Sequence, residues 1–282
     1  MLFFIINIYV RVQEFLHDTF HYNLPGFGFL LNKIKQDRVL MVKGQKLYLN
    51  HQIADNYLRL VGGRYNEPET HTFLHNVIKQ LPGKVNFADI GANVGEFILD
   101  MANHPKVNHV WGFEPQTEQF VGLTKTVEIN SFKHVTLVNK PVSDSEKEII
   151  FYFDPKNRTA SGITNEEKTG TQKFISTYLD KELTDYTVPN ILLVDVEGSE
   201  CEVMRGGMKL ITENKPLIIF EYNHVSKQHF TIDDVQSILG TDYEIYRLRN
   251  DGNIDKNFDR TWNLVAVNKT SVFYTPVISL KK

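Results

Sequence analysis

The chain has 282 residues, 41% of them hydrophobic and 23% charged, which allows one large domain or two small ones and excludes a wholly disordered chain. Its net charge of −3 gives no electrostatic reason to expect a nucleic acid partner. The single cysteine, Cys201, excludes an intramolecular disulfide and a cysteine-based zinc site, and points to a reducing, cytoplasmic setting.

Residues 1–10 are apolar apart from Asn7. The run is shorter than the ~20 residues needed to cross a bilayer, and it lacks the flanking signals of a secretory leader. A helix packed on the domain or on a second copy of the chain is expected, with peripheral contact at a membrane surface as the alternative. Asn23-Leu24-Pro25-Gly26-Phe27-Gly28 is a turn-rich break. Residues 39–42 and 46–49 read as a hairpin around Lys43-Gly44.

A helix is expected over 68–80. Pro68 stands near its start, and Phe73, Leu74, Val77, Ile78 and Leu81 repeat at helical spacing. Leu81-Pro82-Gly83 ends it. Glu67, His71 and His75 recur at four-residue intervals, which can be metal spacing on a helix. With the apolar stripe read as facing the other way, they are expected to form a solvated face. Residues 1–80 are read as an α+β cap and 81–282 as the main domain.

From Val85 onward, short apolar strands alternate with helices. Strands are expected over 86–90, 109–114, 135–138, 191–196, 217–222, 244–248 and 263–267. Helices are expected near 94–103, 116–130, 199–213 and 231–239. This grammar predicts an α/β fold with a mainly parallel seven-stranded sheet, helices on both faces and an antiparallel last strand. Residues 149–153 and 171–175 read as strands of an insertion, with a polar loop at 154–170 between them. Residues 243–248 and 262–267 read as an antiparallel pair at the sheet's end.

The most informative stretch is Phe87-Ala88-Asp89-Ile90-Gly91-Ala92-Asn93-Val94-Gly95. It is a strand, a glycine turn and a helix start, and ligands in open α/β sheets bind at such strand ends. The spacing lacks the middle glycine of a dinucleotide loop, and no Lys-Ser/Thr pair follows as in a P-loop. Asp89 disfavours a phosphate and favours a cationic ligand, a description that S-adenosylmethionine fits. Glu114 ends the next strand, where an acid can accept from a ribose diol. Asp195, Glu197 and Glu200 cluster at a further strand-to-helix junction, where Ser199 and Glu202 have capping-box spacing.

Taken together, the sequence resembles the FkbM-type methyltransferases, S-adenosylmethionine-dependent enzymes with the Rossmann-like class I fold. The likeness rests on Asp89-Ile90-Gly91-Ala92-Asn93-Val94-Gly95, Phe113-Glu114-Pro115, Pro141-Val142-Ser143-Asp144 and Asp195-Val196-Glu197-Gly198-Ser199-Glu200. It continues through Met204-Arg205-Gly206-Gly207 and Phe220-Glu221. Upstream, Gly63-Arg64-Tyr65-Asn66-Glu67-Pro68 resembles the segment that precedes this family's core, with Asn66 where the family usually has a second aromatic. The resemblance implies O-methylation of a hydroxyl on a sugar, glycolipid or similar small polar acceptor. It implies cofactor contacts from Glu67, Asp89, Gly91, Ala92, Asn93, Gly95, Glu114, Pro115, Val142 and Ser143, the last two beside the adenine. The rival functions are an N-methyltransferase of a sugar amine or peptide, and a non-catalytic S-adenosylmethionine-binding module.

Methyl transfer to a hydroxyl needs an aligned acceptor and a group that takes its proton. Asp195, Glu197, Glu221 and His224 stand at the carboxyl ends of two strands and are the candidates. Asp195, Glu221 and Asn223 could instead supply oxygen ligands to magnesium or calcium, and a metal-free base fits equally well. Cys201 is read as a small packed residue without an activating base.

Overall fold

A computed structural model describes residues 37–50, 60, 63–153, 161–164, 171–184, 188–259 and 261–282, with 8, 9 and 12 besides. The expectations for 1–10 (apart from 8 and 9), for the turn at 23–28 and for most of the loop at 154–170 lie outside the described residues. Among the described residues no helix is long and apolar enough to cross a membrane.

The chain forms the expected hairpin from β1 (Arg38–Val42) and β2 (Gln45–Leu49), paired antiparallel. Its turn residues Lys43 (φ 49°) and Gly44 (φ 88°) both take positive φ, as a two-residue hairpin turn of the right twist requires. The helix α1 (Pro68–Gln80) has the predicted bounds. Phe73, Leu74, Val77 and Ile78 of α1 enter the core of the main sheet, so this helix packs as part of that layer.

The main sheet then alternates strands and helices. In chain order come β3 (Val85–Ile90), α2 (Glu96–Asn103), β4 (Val107–Phe113), α3 (Thr117–Ile129) and β5 (Val135–Val138). An insertion follows, with β6 (Glu148–Phe153), β7 (Ser161–Thr164) and β8 (Thr171–Ile175), then the short α4 (Leu179–Glu182). The chain resumes with β9 (Ile191–Val194), α5 (Glu200–Gly206), α6 (Met208–Asn214), β10 (Leu217–Glu221) and α7 (Ile232–Leu239). It ends with β11 (Tyr243–Leu248), β12 (Ile254–Asp255), β13 (Asn263–Asn268) and α8 (Tyr274–Ile278).

The strand order is β12-β11-β13-β10-β9-β3-β4-β5. β5, β4, β3, β9 and β10 are parallel, while β13 runs antiparallel between β10 and β11. The expected mainly parallel sheet is therefore present, with eight strands instead of seven because two-residue β12 pairs on the edge. Side chains alternate between two cores. Leu217 and Ile219 of β10 face one, and Ile218 and Phe220 face the other. Burial on both faces explains why β9 and β10 read as unbroken apolar runs.

Three local expectations are corrected. The helix at 199–213 is two helices, α5 and α6. Gly206 approaches Ser143 so closely that a Cβ would lie 2.1 Å from its carbonyl oxygen, and Asp180 caps the second helix by accepting from the N–H groups of Lys209 (2.8 Å) and Leu210 (2.9 Å). The Ser199–Glu202 capping box does not form, since Ser199 makes no side-chain cap bond. Glu200 instead turns back and accepts from the N–H groups of Val196 and Gly198. Finally, β7 lies within the stretch read as a loop and pairs with β6, giving a three-stranded antiparallel sheet of order β7-β6-β8. Its sequence, Ser-Gly-Ile-Thr, carries too little apolar alternation to announce a strand.

Candidate active site

The site begins where β3 stops. Gly91 has φ 95°, and a Cβ there would fall 1.8 Å from the backbone oxygen of Asp195. Two strand-end loops thus meet backbone to backbone, and only glycine permits it. The N–H groups of Gly91 and Ala92 both donate to the carbonyl of Phe113 at 2.9 Å, and that of Asp195 donates to Ile90 at 2.9 Å. Glu114 closes the loop from the neighbouring strand. Its carboxylate accepts from the N–H of Asn93 (2.8 Å) and of Gln116 (2.7 Å). Burial pushes Glu114 up to about 7 despite these two bonds.

A cleft of about 620 Å³ opens at this junction. Gly91, Asn93, Glu114, Pro115, Val142, Asp195 and Glu197 line it, which brings together seven of the residues singled out from the sequence. Five others are not among the lining residues. Asp89 is buried in β3, and Ala92 is packed in the core. Gly95 packs against Leu123, Ser143 is buried with its N–H on the carbonyl of Thr177, and Glu67 sits at the start of α1. The insertion contributes Phe151, which the sequence reading did not place at the site. The buried Ile149 and Phe151 alternate along β6, a period of two that marks the buried face of the strand without showing that it meets the cleft.

Beside the cleft, Asp195, Glu197 and Glu221 bring carboxylate oxygens within 4.8 Å of one another. Asp195 is held well above the ordinary carboxylate range by burial and by the charges of Glu221, Glu67, Glu197 and Glu200. Burial and the Glu197, Glu200 and Glu67 carboxylates push Glu221 up to about 9. Burial alone raises Glu197. Three carboxylates so placed can share protons, or hold a divalent cation through oxygen. Asn223 is not part of that group in the role expected of it. Its Oδ1 accepts from the N–H groups of Val225 (2.6 Å) and Ser226 (3.1 Å), and its Nδ2 donates to Glu221 at 2.6 Å. His224 is exposed and stands outside the carboxylate group. The other Glu221 oxygen, Asn93 Oδ1 and Asp89 Oδ2 are buried without a hydrogen-bond partner among the described residues.

The expectation of a solvated Glu67–His71–His75 face holds for His75, which is exposed, and fails for His71. His71 is 4% exposed and stacks between Tyr65 and Phe97. Residues 71, 74 and 78 are spaced by three and four, so His71 lies on the same buried stripe as Leu74 and Ile78. Its ring nitrogens bond Asp100 and Glu96, both on α2. Burial pulls the imidazole down, but the two carboxylates outweigh it and raise it to about 9. Cys201 is buried as expected, and burial pushes its thiol up to about 12.

Comparison with known proteins follows the same lines. The sequence model of the methyltransferase FkbM domain matches residues 89–248, more than half of the chain. Among solved structures, the methyltransferase FkbM of Methylobacillus flagellatus is 17% identical, over 77% of this chain and 53% of that one, with TM-score 0.48. The chain therefore spans about half the length of that relative. TYW2 of M. jannaschii, solved in complex with AdoMet, is 10% identical over 88% of each chain, with TM-score 0.47. Trm5b of Pyrococcus abyssi is 12% identical over 82% of this chain and 55% of that one, with TM-score 0.44. No curated protein matches the chain.

Proposed function

The chain belongs to the FkbM methyltransferase family, and from that premise we propose that it uses S-adenosylmethionine to methylate a hydroxyl of a sugar, glycolipid or similar polar metabolite. One observation carries this reading: a cleft bearing Glu114 and an adjoining group of three carboxylates share one end of the sheet. The residues present suit this cofactor. Each Glu114 oxygen accepts one N–H and retains a lone pair for a ribose hydroxyl. Asn93 Oδ1 has a hydrogen bond still to make, and Pro141, Val142 and Phe151 give the cleft an apolar wall suited to adenine.

When bound, S-adenosylmethionine supplies an electrophilic methyl on a positive sulfur. Asp195 is assigned the proton of the acceptor hydroxyl, which it takes as the acceptor oxygen bonds to that methyl. The bound cofactor would supply the leaving group, a neutral thioether sulfur that keeps the electron pair. Burial, with repulsion from Glu221, Glu67 and Glu197, favours the protonated form of Asp195 while the site is empty, and the carboxylate that can take a proton is favoured once a cation is bound. The same repulsion is relieved by a cationic ligand, so the site is charged for catalysis when the cofactor arrives. Glu221 and Glu197 are assigned to hold the acceptor.

Calorimetry with S-adenosylmethionine tests the first half of this reading, and absence of binding by the folded chain would remove it. A mass-spectrometric screen of sugar, glycolipid and amine acceptors tests the second. Gain of one methyl on a hydroxyl is expected; gain on amines alone would favour the N-methyl alternative.

A further inference from the structure

His71 is a buried basic side chain for which methyl transfer has no direct use. Its ring lies between Tyr65 (centroids 3.7 Å apart, 14° between planes) and Phe97 (4.3 Å, 13°). Nδ1 meets Asp100 Oδ2 at 2.5 Å, and Nε2 meets Glu96 Oε1 at 3.0 Å. With an acceptor at each nitrogen the ring can carry both protons, and it is then a cation fixed in position and orientation.

The fixed cation holds more than itself. The oxygen of Glu96 that bonds His71 also accepts from the N–H of Asn66 at 2.7 Å and of Glu67 at 3.4 Å. Those are the two residues before Pro68, so the backbone that enters α1 hangs on Glu96. Glu67 in turn has one carboxylate oxygen on Asn263 Nδ2 (2.6 Å) and Thr70 Oγ1 (3.2 Å). Asn263 stands opposite Glu221 in the pairing of β13 with β10, so its bond to Glu67 sets that carboxylate beside the carboxyl end of β10. The bond that Glu221 receives comes from the neutral amide of Asn223, and Asp89 Oδ2 and Glu221 Oε2 are buried without a partner among the described residues.

Resting on the S-adenosylmethionine reading above, we infer that His71 is a positioning residue. Through Glu96 it fixes the backbone of Asn66 and Glu67, and so sets the Glu67 carboxylate against the cationic amino-acid end of the cofactor. The adenosine end, held by Glu114 and the Gly91 loop, does not depend on it. A carboxylate contributes to binding a cation only when it is held where the charge will lie, so loosening this support should weaken one end of the ligand and spare the other.

That asymmetry is the test. S-adenosylmethionine and 5′-methylthioadenosine, which keeps the adenosine and lacks the amino-acid end, are titrated calorimetrically into wild type and His71→Gln at one pH. Glutamine is neutral and can reach only one of the two carboxylates. The dissociation constant for S-adenosylmethionine should rise about tenfold, with that for 5′-methylthioadenosine within about twofold of wild type. A merely structural role would weaken both ligands equally, and that result, or no change in either, overturns the inference. Glu96→Gln cuts the same link one bond further on and should give the same selective loss, so it carries the test if His71→Gln does not melt cooperatively. Wild type that binds neither ligand would fell the cofactor reading itself, whereas wild-type binding with unselective variants fells only the role of His71.

Discussion

Two groups of carboxylates lie at the same end of the sheet and are treated oppositely. Glu96 and Asp100 of α2 close on a buried imidazole, with Tyr65 and His75 adding further donors to Asp100. Asp195, Glu197 and Glu221 close on one another, and the bond given to Glu221 comes from a neutral amide, Asn223. The consequences for their protons diverge. Asp100 is held well below the ordinary carboxylate range by His71 and His75, although burial alone would raise it. Asp195 is driven above that range by burial and the charge of Glu221, and Glu221 by burial and the charge of Glu197. A satisfied group of buried charges fixes structure, whereas an unsatisfied one stores a preference for a positive ligand.

The sharpest way to break this contrast is at Asp195. If the unsatisfied group does the chemistry, Asp195→Asn should lower turnover by about a thousandfold, the middle of the range for losing a general base. Calorimetric affinity for S-adenosylmethionine should change far less, because the cleft is built from Gly91, Glu114 and Val142 as well. Unchanged turnover would take Asp195 out of the mechanism and leave its repulsion without a purpose.

The satisfied group should fail in stability. Asp100→Asn leaves the buried His71 cation with one charged partner instead of two, and removing a partner from a buried pair costs about 3 kcal/mol. Denaturant midpoints across pH expose the mechanism. Asp100 is depressed in the folded chain, so its contribution is present above its ordinary value of 3.8 and is lost as pH falls through the folded value. His71 is raised, so its contribution is complete below 6.5 and is lost as pH rises through about 9. Wild type should therefore weaken on both sides of a plateau, and the variant should lose the acid limb. An acid limb that survives in Asp100→Asn would mean that Asp100 is not the anchor of that network.

How much of this could be read from the residues depended on how far apart the partners lie in sequence. The bounds of α1 were legible because Pro68, the apolar repeat and Leu81-Pro82-Gly83 are all local. The glycine loop with Glu114 was legible because its spacing is set by one β-α-β unit, and the cleft does gather Gly91, Asn93 and Glu114. His71 was misread because it is polar on a buried stripe, and its partners Glu96 and Asp100 lie on another helix, 25 and 29 residues away. The break between α5 and α6 was hidden for a similar reason, since its cap comes from Asp180 about thirty residues upstream. Phe151 entered the cleft through pairing of the insertion and through the bridge between Val142 and Thr177, neither of which a period of two can specify.

The most direct measure of stored repulsion is the pH dependence of stability at Glu221. Glu221 is raised to about 9 from 4.5, so the folded chain holds a proton there that the unfolded chain gives up, and stability falls as pH rises between those values. Glu221→Gln keeps the shape of the protonated side chain and removes that titration. At pH 5 its denaturant midpoint should nearly match wild type, and at pH 8 it should exceed wild type, which has by then lost the stability held by that proton. Equal stability at both values would mean that some other group already neutralises the acids. Adding S-adenosylmethionine at pH 8 should narrow the gap, because the positive groups of the cofactor relieve in wild type the repulsion that the variant lacks from the start.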